Sequence, residues 1–199
     1  MVKRLFDVSA VAIGIVLLSP LLFWLAWRIK SEDGGPVFYR GLRVGLHGKP
    51  FHIFKFRTMV VDAEKIGGSS TSDDDSRITK VGRFLRKYKL DELPQLINVL
   101  KGDMSSVGPR SQVSWAVELY SEEEKLLLNV RPGITDYASI KFKNEEEILK
   151  GSKNPDKDYL EKIAPEKLRL GLEYVENRSL WIDIKLIFAT IKAIFEKTS

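Results

Sequence analysis

The sequence predicts an α+β protein, mostly helical, in which an N-terminal membrane helix-break-helix and amphipathic interfacial helices accompany a small β-hairpin or sheet around the functional site. Three observations predict it. Val8 to Trp27 is a run of twenty residues without a charge. Phe51 to Met59 is rich in aromatic and branched residues and follows the turn-forming Gly45 to Pro50, which reads as a strand or hairpin arm. Two further stretches, around Val81 to Leu100 and Leu180 to Phe195, repeat apolar residues at helical spacing.

The composition sets the bounds. A chain of 199 residues with 44% hydrophobic and 30% charged residues is globular and builds one domain-sized core, which excludes wholesale disorder and a polytopic membrane protein. Mean hydropathy is only -0.14 despite the apolar run, so the remainder is distinctly polar. A membrane-embedded N-terminus, residues 1–30, therefore carries a body of residues 31–199. The absence of cysteine excludes disulfides, thiolate zinc sites and cysteine nucleophiles. The charge of +5 and pI near 9.3 favour an anionic partner: nucleic acid, a phospholipid surface or a phosphorylated substrate.

Twenty helical residues reach about 30 Å, enough to cross the hydrocarbon core. Ser19-Pro20 falls near the middle, where proline removes a donor and bends or breaks a helix. Lys3 and Arg4 precede the run and Arg28 and Lys30 follow it, so basic flanks give no direction. Pattern alone leaves a straight span and a re-entrant hairpin with both ends on one side equally open. No small-x-small cleavage site follows, and Trp24 to Arg28 resembles an interfacial belt more than a processing site.

On a strand, Lys55 and Arg57 share a face about 7 Å apart, a spacing that suits two diphosphate oxygens and equally suits two solvated positions. Gly67 to Ser76 reads as a loop whose Asp73-Asp74-Asp75 run is solvated. Arg77, Lys80, Arg83, Arg86, Lys87 and Lys89 follow without an acid, and Val81, Phe84, Leu85 and Tyr88 recur at helical spacing among them. Such a basic amphipathic helix suits anionic lipid or nucleic acid.

Leu90 to Gly102 carries the chemistry. Leu93, Leu96, Ile97 and Leu100 trace one helical face, Pro94 belongs to a first turn and Gly102 to an end. Asp91 and Glu92 then lie at a helix N-terminus, where carboxylates serve as N-cap and first-turn acid or stand beside bound phosphate. Neighbouring carboxylates fit glycosidase chemistry poorly, since that needs two groups on opposite sides of a bond. They suit one carboxylate attacking an electrophile while the next holds a divalent ion. Ser106 to Arg110 and Val130 to Thr135 each fix an arginine, Arg110 and Arg131, beside proline and glycine, an arrangement that reads phosphate or covers a loop. Glu122 to Glu124 and Glu145 to Glu147 read as solvated helix faces, and His47 and His52 have no spaced partners for a metal or triad. Leu180, Ile184, Ile187, Ile191 and Phe195 form one face of a last helix, with Asp183, Lys185 and Lys192 off it and Trp181 at a membrane boundary.

Taken in order, Lys55 to Met59, Arg77 to Arg86, Leu90 to Leu96, Lys101 to Ser105, Gly108 to Arg110 and Arg131 to Thr135 resemble the motif blocks of the bacterial sugar transferase family, the monotopic polyprenyl-phosphate phosphoglycosyl transferases, in its minimal form. The resemblance runs from Lys3 to the last helix. It implies transfer of a phospho-sugar from a UDP-sugar to polyprenyl (undecaprenyl) phosphate with release of UMP, the first membrane step of surface glycan assembly. It further implies Asp91 as a nucleophile forming an aspartyl phospho-sugar, Glu92 as the Mg2+ ligand, and Lys55, Arg57, Arg86, Pro109, Arg110 and Arg131 as the phosphate and nucleotide site. A re-entrant helix broken at Ser19-Pro20, an anionic phospholipid membrane as partner and no nucleic acid follow from it. So does a catalytic domain on the cytoplasmic face of the bacterial inner membrane. Ser111 stands where the family commonly has a second proline, and Asp136 to Ser139 depart from its usual continuation. The alternative from the charge pattern is a non-enzymatic basic membrane- or nucleic-acid-binding module.

Overall fold

The computed structural model describes residues 2–66 and 74–196. Asp73 and most of the Gly67 to Ser76 segment lie outside the described residues.

Helix α1 (Val2–Asp33) leads into a hairpin of β1 (Phe38–Val44) and β2 (Pro50–Phe56), antiparallel in register from Phe38 opposite Phe56 to Val44 opposite Pro50. Helices α2 (Lys80–Lys87) and α3 (Gln95–Lys101) follow, then β3 (Ser105–Val107), α4 (Ser114–Val117) and β4 (Gly133–Thr135), with β3 and β4 pairing in parallel. Helices α5 (Tyr137–Lys141), α6 (Glu145–Ile148), α7 (Pro155–Lys162), α8 (Ala164–Asn177) and α9 (Leu180–Glu196) complete an α+β fold in which helix predominates.

The apolar N-terminal run becomes one helix that passes through Ser19 and Pro20. Pro20 has no N–H for the Val16 carbonyl one turn back, and the Ser19 hydroxyl donates to that oxygen instead at 2.8 Å. By length and composition α1 is sufficient to cross a membrane. It also lies against the body along one stripe. Lys3 pairs with Asp183 at 2.6 Å, Arg4 donates to the Val99 and Leu100 carbonyls, and Asp7 accepts from the Ser105 hydroxyl at 2.7 Å. Val11 packs with Ile53, Val99 and Met104, and farther along Leu25 and Ile29 pack with Phe56 and Leu85. At the far end Glu32 accepts from the Lys80 and Val81 N–H groups, capping α2, and Asp33 grips Arg57.

Two helices carry their polarity in reverse. In α1, Asp7 is 2% exposed while Leu5, Ile13, Val16, Leu17 and Phe23 are 62 to 77% exposed. In α9 the expected stripe is not the buried one: Asp183, Leu186 and Ala193 face inward, and Trp181, Phe188 and Ile191 face out. The reason is Asp183, which accepts from Lys3 and from the Tyr174 hydroxyl at 2.7 Å and so turns its face of α9 toward the core. Exposed apolar faces of this extent belong against something other than water.

Candidate active site

The Asp91-Glu92 pair sits on its own turn. Lys89 enters it in the left-handed region at φ 53, Leu90–Glu92 forms a 3-10 turn, and Leu93 and Pro94 continue in helical conformation into α3. Pro94 occupies the N-cap position, and no side chain caps α3, so capping is not what Asp91 does. Across from the turn, Asn98 of α3 clamps β2: its amide nitrogen donates to the His52 carbonyl and its oxygen accepts from the Phe54 N–H, both at 2.8 Å. That clamp sets Lys55, the next residue, against the pair.

Lys55 Nζ lies 2.9 Å from Glu92 Oε1 and 3.9 Å from Asp91 Oδ2. Arg110 forks over Glu92, one nitrogen 2.9 Å from Oε2 and the other on Oε1, and also donates to the Ile134 carbonyl at 3.0 Å. Arg86 is oriented by a 3.1 Å bond from Nε to the Thr58 hydroxyl. Gly82 lets α2 lie on the Thr58 carbonyl, where a Cβ would come within 2.0 Å of that oxygen.

The two carboxyls are driven apart. Burial pushes Asp91 up, the Glu92 charge adds to it, and Lys55, Lys89 and Arg86 pull the other way without prevailing. Burial also pushes Glu92 up, but the charges and hydrogen bonds of Arg110 and Lys55 outweigh it and hold Glu92 far below the usual carboxylate range. Arg110 is correspondingly raised above its ordinary value by Glu92, against its own burial. Glu92 is thus a fixed anion inside a cationic clamp. Asp91, 8% exposed, accepts no side-chain hydrogen bond among the described residues.

The two proline-glycine turns pack back to back. A Cβ on Gly108 would meet the Arg131 carbonyl at 2.4 Å, and one on Gly133 would meet the Gly108 nitrogen at 2.0 Å. Gly133 N–H donates to the buried Pro109 carbonyl at 3.0 Å. This contact, closed only because both residues lack a side chain, holds Arg110 over Glu92.

Not every predicted cation reaches the pair. The strand period puts Lys55 and Arg57 on one face, and the Arg57 N–H still bonds the Val37 carbonyl at 2.9 Å just past the end of β2; but Arg57 is buried, its guanidinium donating to both Asp33 oxygens and to the Pro36 carbonyl. Arg131 donates to the Gly102 carbonyl at 2.8 Å, beyond the C-terminal end of α3, while the pair precedes its N-terminal end. There it joins Arg4 in neutralising the end of the helix. Nor is the basic run an open stripe, since Arg77 is buried against Asp75 and the Ala63 carbonyl.

A cavity of about 210 Å³ opens beside the pair, with Glu92 and Arg110 in its wall, Lys87, Lys89, Lys143 and Lys167 around it, and Leu93, Ile134, Phe142 and Ala193 as apolar lining. Asp136 and Ser139, the residues that depart from the expected motif, are also in that wall; Asp136 caps α5 by accepting from the Ser139 N–H at 2.7 Å. Sequence reasoning passed over Asn98, Glu145 and Lys167. Asn98 could have been found as a polar residue on a helix face that is otherwise apolar. Glu145, expected to be solvated, pairs with Lys167 at the cavity, a long-range contact with no local signal.

Among the described residues no three acidic or histidine side chains converge as a metal cluster. Glu92 is the residue that the motif resemblance marks to hold Mg2+, and both its carboxylate oxygens are engaged here by Arg110 and Lys55.

Residues 1–197 match the family model described as bacterial sugar transferase. The chain is 37% identical over 192 residues to the uncharacterized sugar transferase EpsL of Bacillus subtilis, covering 96% of this chain and 86% of that one. It is 40% identical over 195 residues to the UDP-glucose:undecaprenyl-phosphate glucose-1-phosphate transferase of Escherichia coli, covering 96% of this chain and 39% of that protein. It is 38% identical over 196 residues to the UDP-N-acetylgalactosamine-undecaprenyl-phosphate N-acetylgalactosaminephosphotransferase of Aeromonas hydrophila, covering 97% and 43%. The chain thus spans most of the small relative and about two fifths of the two larger ones.

Proposed function

The chain belongs to the bacterial sugar transferase family, and from that premise we propose that it transfers a phospho-sugar from a UDP-sugar to undecaprenyl phosphate through a covalent intermediate on Asp91. The observation that carries this reading is the asymmetry of the pair. Glu92 is held by Arg110 and Lys55, whereas Asp91 is buried beside Lys55 and accepts no side-chain hydrogen bond among the described residues.

In the first step an Asp91 carboxylate oxygen bonds to the phosphorus that bears the sugar, and the bond from that phosphorus to the bridging oxygen breaks. UMP leaves with the bridging electrons. In the second step a phosphate oxygen of the lipid attacks the same phosphorus, the bond to Asp91 breaks, and the carboxylate is restored as the polyprenyl-diphosphate sugar departs. Splitting the transfer in two replaces one hard encounter of anions by two easier ones. Lys55, Arg86 and Arg110 neutralise charge on the phosphoryl oxygens as it develops, from positions fixed before substrate arrives. Bound Mg2+ would supply further neutralisation of the diphosphate.

The second part of the proposal is placement. Lys3, Arg4 and Asp7 at one end of α1 and Glu32 and Asp33 at the other are all bonded to the same body. A helix crossing a bilayer would hold its ends on opposite sides, so α1 enters one leaflet and both ends stay with the body, Ser19-Pro20 being the point that allows it to bend. Its apolar outer face and that of α9 meet lipid, on the cytoplasmic side of the inner membrane.

Purified protein given undecaprenyl phosphate, Mg2+ and a panel of UDP-sugars should release UMP with at least one sugar. Absence of release with every sugar, or full activity in Asp91→Ala, would overturn the reaction. Tags on the N-terminus and on the body should both report the cytoplasm; an N-terminal tag outside would overturn the placement.

A further inference from the structure

The side chain of Gln95 is fully buried, and neither its amide nitrogen nor its oxygen has a hydrogen-bond partner among the described residues. Leaving both ends of a buried amide unsatisfied costs the fold more than a leucine or methionine of similar volume would in the same place. Asn98, one turn on, shows that this helix face satisfies its amides where structure alone is at stake, since that side chain is bonded at both ends.

Gln95 opens α3 one turn after Asp91, and Leu93 and Pro94 between them are helical. Long side chains on a helix lean toward its N-terminus, over the preceding turn. The turn before Gln95 carries the carboxylate pair. Of the two acids, Glu92 lines the cavity and is clamped by Arg110 and Lys55, whereas Asp91 is buried, as Gln95 is, and accepts no side-chain hydrogen bond among the described residues. A fully buried amide without a partner and a carboxylate whose one ion pair is a long one to Lys55 thus stand a turn apart in the chain.

We propose that Gln95 is a positioning residue for Asp91, its amide N–H holding one carboxylate oxygen through one bound water, so that the other oxygen faces the phosphorus. The inference rests on the reading of Asp91 as nucleophile. Holding one oxygen fixes the carboxylate rotamer in the free enzyme and keeps its plane in place after the first oxygen has become an ester. A neutral donor does this without adding to the four cations, Lys55, Lys89, Arg86 and Arg110, that already act on the pair.

The test uses the full chain with Gln95→Leu and Gln95→Met, single-turnover UMP release in the absence of lipid acceptor, steady-state kinetics and thermal unfolding. Both variants should unfold at or above the wild-type temperature, since an unsatisfied amide has been replaced by an apolar group. Both should slow the first half-reaction at least tenfold, with KM for the UDP-sugar within about twofold of wild type. Wild-type rates in either stable variant would overturn the proposal, as would a loss confined to KM. Should one variant unfold early, the other decides. Asp91→Asn in parallel separates the two claims: activity there refutes the nucleophile, whereas an inactive Asp91→Asn with fast Gln95 variants refutes only the role of Gln95.

Discussion

The two ends of α3 are both wrapped in basic residues, yet they do opposite work. Beyond the C-terminal end, Arg4 and Arg131 donate to the carbonyls of Val99, Leu100 and Gly102, satisfying oxygens that a helix end leaves without partners. Before the N-terminal end, Lys55 and Arg110 grip Glu92 and leave the neighbouring Asp91 buried without a side-chain hydrogen bond among the described residues. The first arrangement removes a strain of folding, and the second retains one. A cation spent on carbonyls alone is structural, whereas one held at the carboxylate pair is placed to meet an incoming anion.

The largest test of that contrast is Asp91→Ala. Removing the nucleophile should lower turnover by 10³-fold or more, by analogy with other covalent catalysts. Stability should not fall, because a buried carboxyl with no hydrogen bond is a cost to the fold. UMP release and thermal unfolding on the same preparation check both halves. A variant that lost activity only by unfolding would mean that Asp91 supports the fold, and the two ends of α3 would then be alike.

Next is Arg110→Lys. Lysine keeps the charge but cannot make the two-pronged contact with Glu92 or reach the Ile134 carbonyl at the same time. Turnover should fall about 10²-fold while the protein stays folded. A lysine variant with wild-type turnover would show that only the charge matters there.

The contrast also shows what the sequence could disclose. The hairpin, the basic helix and the helix after the carboxylate pair follow from apolar spacing, from Pro94 and from Gly102, which takes φ 92 at the helix end. The carboxylate pair was legible because adjacent acids limit the chemistry open to them. The sorting of the cations was not. Arg110 and Arg131 sit in turns of nearly the same composition, and only the packing of Gly108 on Gly133 sends one to Glu92 and the other to Gly102. Likewise the period of a strand predicts one face for Lys55 and Arg57 but not that Asp33, 24 positions earlier, takes up the Arg57 guanidinium. The inward turn of Asp183 was hidden because it depends on Lys3, 180 positions away.

A smaller effect is expected at the other end of α3. Arg131→Ala should leave turnover within about twofold of wild type and cost about 0.5 to 1 kcal/mol, the usual worth of a cation at a helix C-terminus. For a chain of this size that is a fall of roughly 1 to 4 °C in Tm. A large loss of turnover at unchanged stability would place Arg131 on the substrate and break the division between the two ends.

The smallest effect tests Arg57, the cation just past β2 that Asp33 holds. Arg57 bonds both oxygens of Asp33 and, with the Gly35 N–H, holds that carboxyl at about 2, below its ordinary 3.8. A carboxyl whose pKa is lower in the folded chain than in the unfolded one contributes stability above the unfolded value, and that contribution is lost as pH falls from near 4 toward 2. Asp33 is one-third exposed, so solvent screening keeps the contribution below about 1 kcal/mol. In Asp33→Asn the deficit in Tm relative to wild type should therefore be greatest at neutral pH and should shrink between pH 4 and pH 2, with turnover at neutral pH little changed. A deficit independent of pH would mean that the Asn variant loses packing and not charge, and Arg57 would then be available to the phosphate site after all.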